Sequence, residues 1–314
     1  MQPPNKWNAD TLEALKIEFL DVDHKVMFPE KVLSEKATNV LKDLKYLDKA
    51  FLSSYESRSH SARNSLFHDS VNDSARVDNE DSHDHDDSNS KPSGDVTENN
   101  NVEYMKHPLC KALFIMDKYS HLESPVDSFV FQLLCHLGFN DNWLYIFPQL
   151  PLKLRSNRHS IISKADFTLM DIISFYRAVV VEDKKIDERD LSSAEAQLVA
   201  EAVSAQQSNV VKENSHPSKR SRSPPKTDEN TIMGIRVCGF HFTFYRIPYS
   251  HPLIDSVLNE VVASETTIVQ RCHNGGYDFR IAEERKVIVS LLDSLLYQFT
   301  QDGEQVKRRL SKSN

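Results

Sequence analysis

The chain has 314 residues, 39% of them hydrophobic, and carries 46 acidic against 38 basic side chains for a formal net charge of −8. That length and apolar content allow one sizeable core with appendages rather than two large domains. No run of about 18 uninterrupted apolar residues is present to span a bilayer, and no apolar stretch follows residues 1–6, so the expectation is an intracellular protein, nuclear or cytoplasmic, neither secreted nor in a membrane. Cys110, Cys135, Cys238 and Cys272 are widely spaced without a Cys-x-x-Cys pair, which argues against a zinc ribbon or a redox motif.

From the N-terminus, residues 1–52 read as a helical segment, helical from 11 onward and divided at Pro29. Leu33, Ala37, Val40, Leu41, Leu44, Leu47 and Phe51 recur at helical spacing, an apolar stripe that must be covered by the chain's own body, a protein partner or a second protomer. Residues 53–103 are rich in Ser, Asp, Asn and His and predict a disordered acidic linker, since ordering them would bury little apolar surface. This stretch holds 12 acidic and 4 basic residues, so the remaining chain is neutral with 34 of each and is free to carry a basic face for nucleic acid. His83 and His85 among Asp81, Asp84, Asp86 and Asp87 form a weak transition-metal pattern, though a solvated acidic run accounts for it as well.

A folded domain is expected over 104–314. Glu123 precedes Ser124 as N-cap and Pro125 at the first helical position of an apolar helix that ends at Gly138. Residues 144–154 predict a first strand. Residues 165–173 and 177–184 predict two more, joined by a loop of Ser174, Phe175 and Tyr176 short enough for a hairpin. With the turn centred near Ser174, Asp166 stands opposite Glu182, and the period of two puts Lys184 on the same face as Glu182. Mg²⁺ or Mn²⁺ takes hard oxygen ligands, commonly one or two carboxylates with waters and substrate phosphate, and Asp166 and Glu182 suit that role. Lys184, a compact ammonium, suits orientation of an attacking water or stabilisation of a phosphorus-centred transition state. The plain alternative is a surface hairpin in which Glu182 and Lys184 form an ion pair worth about 0–1 kcal/mol.

Further along, residues 194–207 predict a crossover helix with Gln197 and Glu201 one turn apart. Residues 212–230 form a basic Ser/Pro-rich insertion in which Lys219, Arg220 and Arg222 suit a nuclear import signal, phosphate contacts or a solvated loop, with Ser223 before Pro224 as a phosphorylation candidate. Strands follow at 232–237 and 240–245, a turn at Gly275 and Gly276, and an amphipathic helix over 282–299.

The order of Asp166, Glu182 and Lys184, between one helix upstream and a crossover helix and strand downstream, resembles motifs II and III of the PD-(D/E)XK nuclease superfamily. The resemblance runs from about Glu123 to the C-terminus. It implies an α/β fold with a restriction-endonuclease-like core, a mixed central sheet flanked by helices, here with an N-terminal helical extension. It implies hydrolysis of phosphodiester bonds in nucleic acid, taken to be DNA, with Mg²⁺ or Mn²⁺ held by Asp166, Glu182 and the motif I candidate Glu123, and with Gln197 in support. The proline that often precedes the motif II aspartate is Ala165 here, at a position without chemistry. The same resemblance also covers a catalytically inactive nucleic-acid-binding or adaptor module.

Overall fold

Alternating apolar residues and a single long crossover helix set the architecture, which a computed structural model of the chain describes over residues 6–28, 31–45, 107–119, 122–141, 143–172, 177–184, 191–215 and 231–311. The expected linker at 53–103 and the basic run with Lys219, Arg220 and Arg222 lie outside the described residues. The protein is an α/β fold whose mixed sheet is flanked by helices. Its elements are α1 (Ala9–Ala14), β1 (Ile17–Val22), α2 (His24–Met27), α3 (Glu35–Leu44), α4 (Pro108–Lys118), α5 (Glu123–Leu137), β2 (Leu144–Pro148), β3 (Pro151–Arg155), β4 (Ser160–Lys164), β5 (Phe167–Asp171), β6 (Arg177–Lys184), α6 (Leu191–Ser215), β7 (Ile232–Cys238), β8 (His241–Ile247), α7 (His251–Asn259), β9 (Thr267–Asp278) and α8 (Ala282–Ser311). The main sheet runs β1-β9-β8-β7-β6-β5-β2, with β1/β9 and β6/β7 parallel and the other neighbours antiparallel.

Each face of the sheet has its own core. On one side α5 buries Val126, Phe129, Val130, Leu133 and Leu134, and α8 buries Ile288, Leu291, Leu292 and Leu295, in one cluster with Phe167, Leu169, Val181 and Ile235. Full burial of such a side chain contributes about 1.5–3 kcal/mol. Phe129 meets Phe279 and Phe242 edge-on at centroid distances of 5.0 and 6.4 Å, which fixes α5 over the centre of the sheet. The chain leaves α5 through Gly138 at φ 97°, where the Gly138 N–H donates to the Leu134 and Cys135 carbonyls. The helix starts two positions earlier than expected, at Glu123 with Leu122 as N-cap, so Ser124 does not cap it.

The other face belongs to α6. Ala196, Leu198, Val199, Ala200, Ala202, Val203 and Ala205 are all fully enclosed, as are Glu201 and Ser204, because the helix is sandwiched between two layers of strands. Small residues let the sheet approach from below: a Cβ on Gly234 of β7 would lie 3.0 Å from Leu198 Cδ2. From above, the helix is covered by β3 and β4. Gln206 Nε2 donates to the Ile247 carbonyl in the sheet at 3.1 Å, while Gln207 both accepts from the Arg155 N–H at 2.8 Å and donates to the Arg155 carbonyl at 3.1 Å. Adjacent glutamines thus tie the helix to opposite layers.

Four expectations need correction. Residues 11–52 are not helical throughout, since Ile17–Val22 is an edge strand parallel to β9, in register from Ile17–Thr267 to Val22–Cys272. The apolar stripe is covered by the chain's own core, with Ala37, Val40 and Leu44 buried and Leu33 and Leu41 packed against them, while Leu47 and Phe51 lie outside the described residues. Gly275 and Gly276 sit inside β9 rather than at a turn between elements. There β8 pairs Phe242 with Tyr277 but Phe244 with Cys272, so β9 bulges outward, and Gly276 at φ 75° supplies the left-handed step. Residues 144–154 are not one strand either, as described next. α6 also continues to Ser215, past the break expected at Lys212. Among the described residues no helix is long and apolar enough to cross a membrane.

Candidate active site

Asp166 immediately precedes β5 and Glu182 lies on β6, and the register of these strands decides whether the pair meets. β5 and β6 align Phe167 with Val181, Thr168 with Val180 and Leu169 with Val179, the register expected for a turn centred on residue 174, before a shift at Met170. Continued by one residue, that register sets Asp166 across from Glu182 at the mouth of the strand pair. Glu182 in turn is the backbone partner of Arg236 on β7, and Lys184 of Cys238. Positions 182 and 184 share a face of β6 by the period of two, while their side chains lie outside the described residues.

Asp166 is placed by a second feature. β2 pairs with β5 from Leu144–Asp171 to Pro148–Phe167, and β3 pairs with β4 from Pro151–Lys164 to Arg155–Ser160, which is one and the same register continued. The Gln149 N–H donates to the Asp166 carbonyl at 3.0 Å between the two halves. Residues 144–171 are therefore one long antiparallel ribbon that breaks at Gln149, whose φ of 52° turns the chain between two prolines. Its proximal half joins the main sheet and its distal half covers α6. Asp166 stands at the break, half-buried, with its Oδ1 accepting from Gln149 Nε2 at 3.0 Å. Gln149 was not among the residues expected here.

Beside the pair lies a buried ionic group that sequence reasoning missed. Glu195, in the first turns of α6, receives the Tyr245 hydroxyl at 2.7 Å, Arg271 Nη1 at 2.9 Å and Arg236 Nη1 at 3.2 Å, all on Oε1. Arg236 Nη2 also donates to Thr243 Oγ1 at 3.1 Å and to the Asn274 carbonyl at 3.3 Å, which is offered by the bulge of β9. Arg271 closes the group with a two-pronged pair on Asp21 of β1, Nε to Oδ1 at 2.7 Å and Nη2 to Oδ2 at 3.2 Å. The hydrogen bonds from Arg271 hold the Asp21 carboxyl below the usual carboxylate range. Burial, with Glu195 adding to it, pushes the Tyr245 phenol well above its ordinary value. Arg236 thus brings a held positive charge to the strand next to Glu182. An arginine inside the otherwise apolar run Ile232–Cys238 was the available signal, but its carboxylate partner lies 41 positions away in the sequence.

Gln197 does not reach Asp166. Its Nε2 donates to Glu201 Oε1 at 3.2 Å, and the same oxygen accepts from Ser163 Oγ at 2.9 Å, tying α6 to β4 three residues before Asp166. Glu123 is exposed at the start of α5, the helix that covers the sheet face opposite α6. Among the described residues no group of three His, Cys, Asp or Glu side chains closes around a common point. The hard-oxygen chemistry of Asp166 and Glu182 fits Mg²⁺ or Mn²⁺ in kind. Compared with known proteins, the chain matches no family model and no curated protein.

Proposed function

We propose that the protein is a metal-dependent nuclease with a PD-(D/E)XK core, cutting phosphodiester bonds of DNA at Asp166, Glu182 and Lys184. The observation that supports the reading is the register of β5 on β6, from Leu169–Val179 to Phe167–Val181, which one residue further would set position 166 across from position 182, where the chain passes from β6 through the α6 crossover into parallel β7. The succession of α5, then β2, β5 and β6 as antiparallel neighbours, then α6 and parallel β7, supports the same core, with the distal ribbon as an insertion between its first two strands. Glu123, on the far helical layer, supports the site least.

In this reading Asp166 and Glu182 hold Mg²⁺ or Mn²⁺, which when bound would make a water acidic and neutralise charge on the phosphorus oxygens. Gln149 fixes the Asp166 carboxylate by occupying Oδ1. Lys184 orients the attacking water or meets charge developing on the phosphate. Arg236, anchored by Glu195, sets the electrostatic background of Glu182 without touching substrate. That anchored arginine also favours a second reading, in which it neutralises Glu182 in place of a metal and the module binds nucleic acid without cutting it.

Cleavage of labelled DNA and RNA with and without divalent metal separates the two. The nuclease reading expects metal-dependent products that vanish in Asp166→Ala, Glu182→Ala and Lys184→Ala, each with unfolding behaviour close to the parent. Absence of products across substrates and metal concentrations, with salt-sensitive binding retained, would leave the binding module.

A further inference from the structure

We propose that the distal half of the 144–171 ribbon is the arm that holds nucleic acid, gripping its phosphate backbone on the outer face of β3 and β4. The proposal deepens the nuclease reading by naming its substrate-binding element, and it rests on that reading only for the cut, not for the grip.

The charge is the first argument. Residues 142–165 contain Lys153, Arg155, Arg158 and Lys164 and not one Asp or Glu, in a chain of net charge −8. None of these four cations forms an ion pair among the described residues, although Arg236, Arg271, Arg280 and Lys31 elsewhere all do. Cations left without carboxylates on a defined face are what an incoming polyanion needs.

The second argument is the face itself. Cross-strand partners share a side of a ribbon, so the pairs Pro151–Lys164, Lys153–Ile162 and Arg155–Ser160 put Lys153, Arg155 and Lys164 on one surface. The opposite surface buries Leu152, Leu154 and Ser163 on α6. Successive residues on one face of a strand are about 7 Å apart, so the cations form a ladder and not a single point. Ile162 lies in its middle, 63% exposed, an apolar side chain with no intramolecular reason to be there.

The third argument is rigidity and position. The tip is pinned to the end of α7, with the Asn157 N–H donating to the Leu258 carbonyl at 2.7 Å and Asn157 Nδ2 to Asn259 Oδ1 at 2.8 Å. The underside is fastened to α6 by Gln207 and by Ser163. At its base the arm runs directly into Asp166, two residues beyond Lys164. A phosphate backbone lying along the ladder is thereby led to the candidate cutting site with little ordering cost in the protein.

The test uses the full-length protein and a fluorescein-labelled 20-base-pair DNA duplex, read by anisotropy from 50 to 200 mM salt without divalent metal. The variants are Lys153→Glu/Arg158→Glu, both remote from the bend, and the same pair with Lys164→Glu, with Lys111→Glu on α4 as an exposed control. We expect the triple variant to bind at least about tenfold more weakly at 50 mM salt and its log-log salt slope to fall by about 2–3, since each phosphate contact contributes about 0.9. The double variant falls between, the control matches the parent, and thermal unfolding is unchanged in all three because the replaced side chains are exposed. Equal binding by parent and triple variant, or a parent that does not retain the duplex at 50 mM salt, overturns the arm. Competition by polyglutamate as effective as by unlabelled duplex also overturns it, by making the surface a site for acidic protein. If the arm variants lose binding while the parent cuts nothing with any metal, the arm stands and the nuclease reading falls.

Discussion

Removing the Glu195 carboxylate should destabilise the protein by about 3 kcal/mol, because that one side chain serves two buried partners, Arg236 and Tyr245, and the part-buried Arg271. Glu195 and Arg236 are 7% and 2% exposed and Tyr245 is fully enclosed. Breaking a buried ion pair typically costs about 3–5 kcal/mol, and leaving a buried hydroxyl without its acceptor costs about 1–3 kcal/mol. The lower end applies here, since Arg236 keeps Thr243 and the Asn274 carbonyl, and Arg271 keeps both oxygens of Asp21. Urea unfolding of Glu195→Ala followed by tryptophan fluorescence is the assay; with a slope near 3 kcal/mol/M, the midpoint should fall by about 1 M at unchanged slope. Tyr245→Phe alone should cost about 1 kcal/mol, and the double variant should lose about 1 kcal/mol less than the sum, because the phenylalanine no longer needs the acceptor. A midpoint shift below about 0.3 M for Glu195→Ala, or strict additivity in the double variant, would refute the picture of Oε1 as the shared anchor.

Gly234→Ala should cost about 1 kcal/mol, since its new Cβ would press on Leu198 Cδ2 at 3.0 Å and Ile247 Cδ1 at 3.2 Å. Leu198→Ala in the same chain should relieve part of that cost, and unfolding midpoints of the two single variants and the double check it. Burial pushes the Asp278 carboxyl up, but hydrogen bonds from the Arg280 side chain and backbone outweigh it and hold the group below its ordinary value. Its contribution to stability is therefore present above the ordinary aspartate range near pH 4 and is lost as pH falls through the lowered folded value. The stability gap between the parent and Asp278→Asn should accordingly be smaller at pH 3 than at pH 5; a gap of equal size at the two pH values contradicts the assignment.

How much was legible in the sequence depended on range. The pairing of β5 with β6 was readable because a short loop turns register into arithmetic, and α5 and α6 were readable because apolar spacing and the Gly138 stop are local signals. β1 was not, since its pairing with β9 joins Ile17 to Thr267 and nothing near residue 17 announces a parallel partner. The ribbon was misread as one strand because the break rests on the left-handed backbone of Gln149, a residue type that does not advertise such a turn. Asp166 and Glu182 were put forward as the candidate pair by hairpin arithmetic, and Lys184 by alternation. Arg236, Glu195, Arg271 and Asp21 were not, because four charges from four elements become a group only after the sheet has assembled.

The pairing of the first strand with the last has a consequence for how the molecule is made. During synthesis β1 leaves the ribosome long before β9 exists, so its backbone groups must wait for nearly the whole chain before they find their ladder. A shortened chain starting at residue 104, a natural choice if the N-terminal part were a detachable appendage, would expose the Thr267–Cys272 edge, take Asp21 from Arg271 and strip Ala37, Val40 and Leu44 from the core. Such a fragment presents an open strand ready to pair with another copy, and its aggregation would report the fold's closure rather than any property of the cutting site.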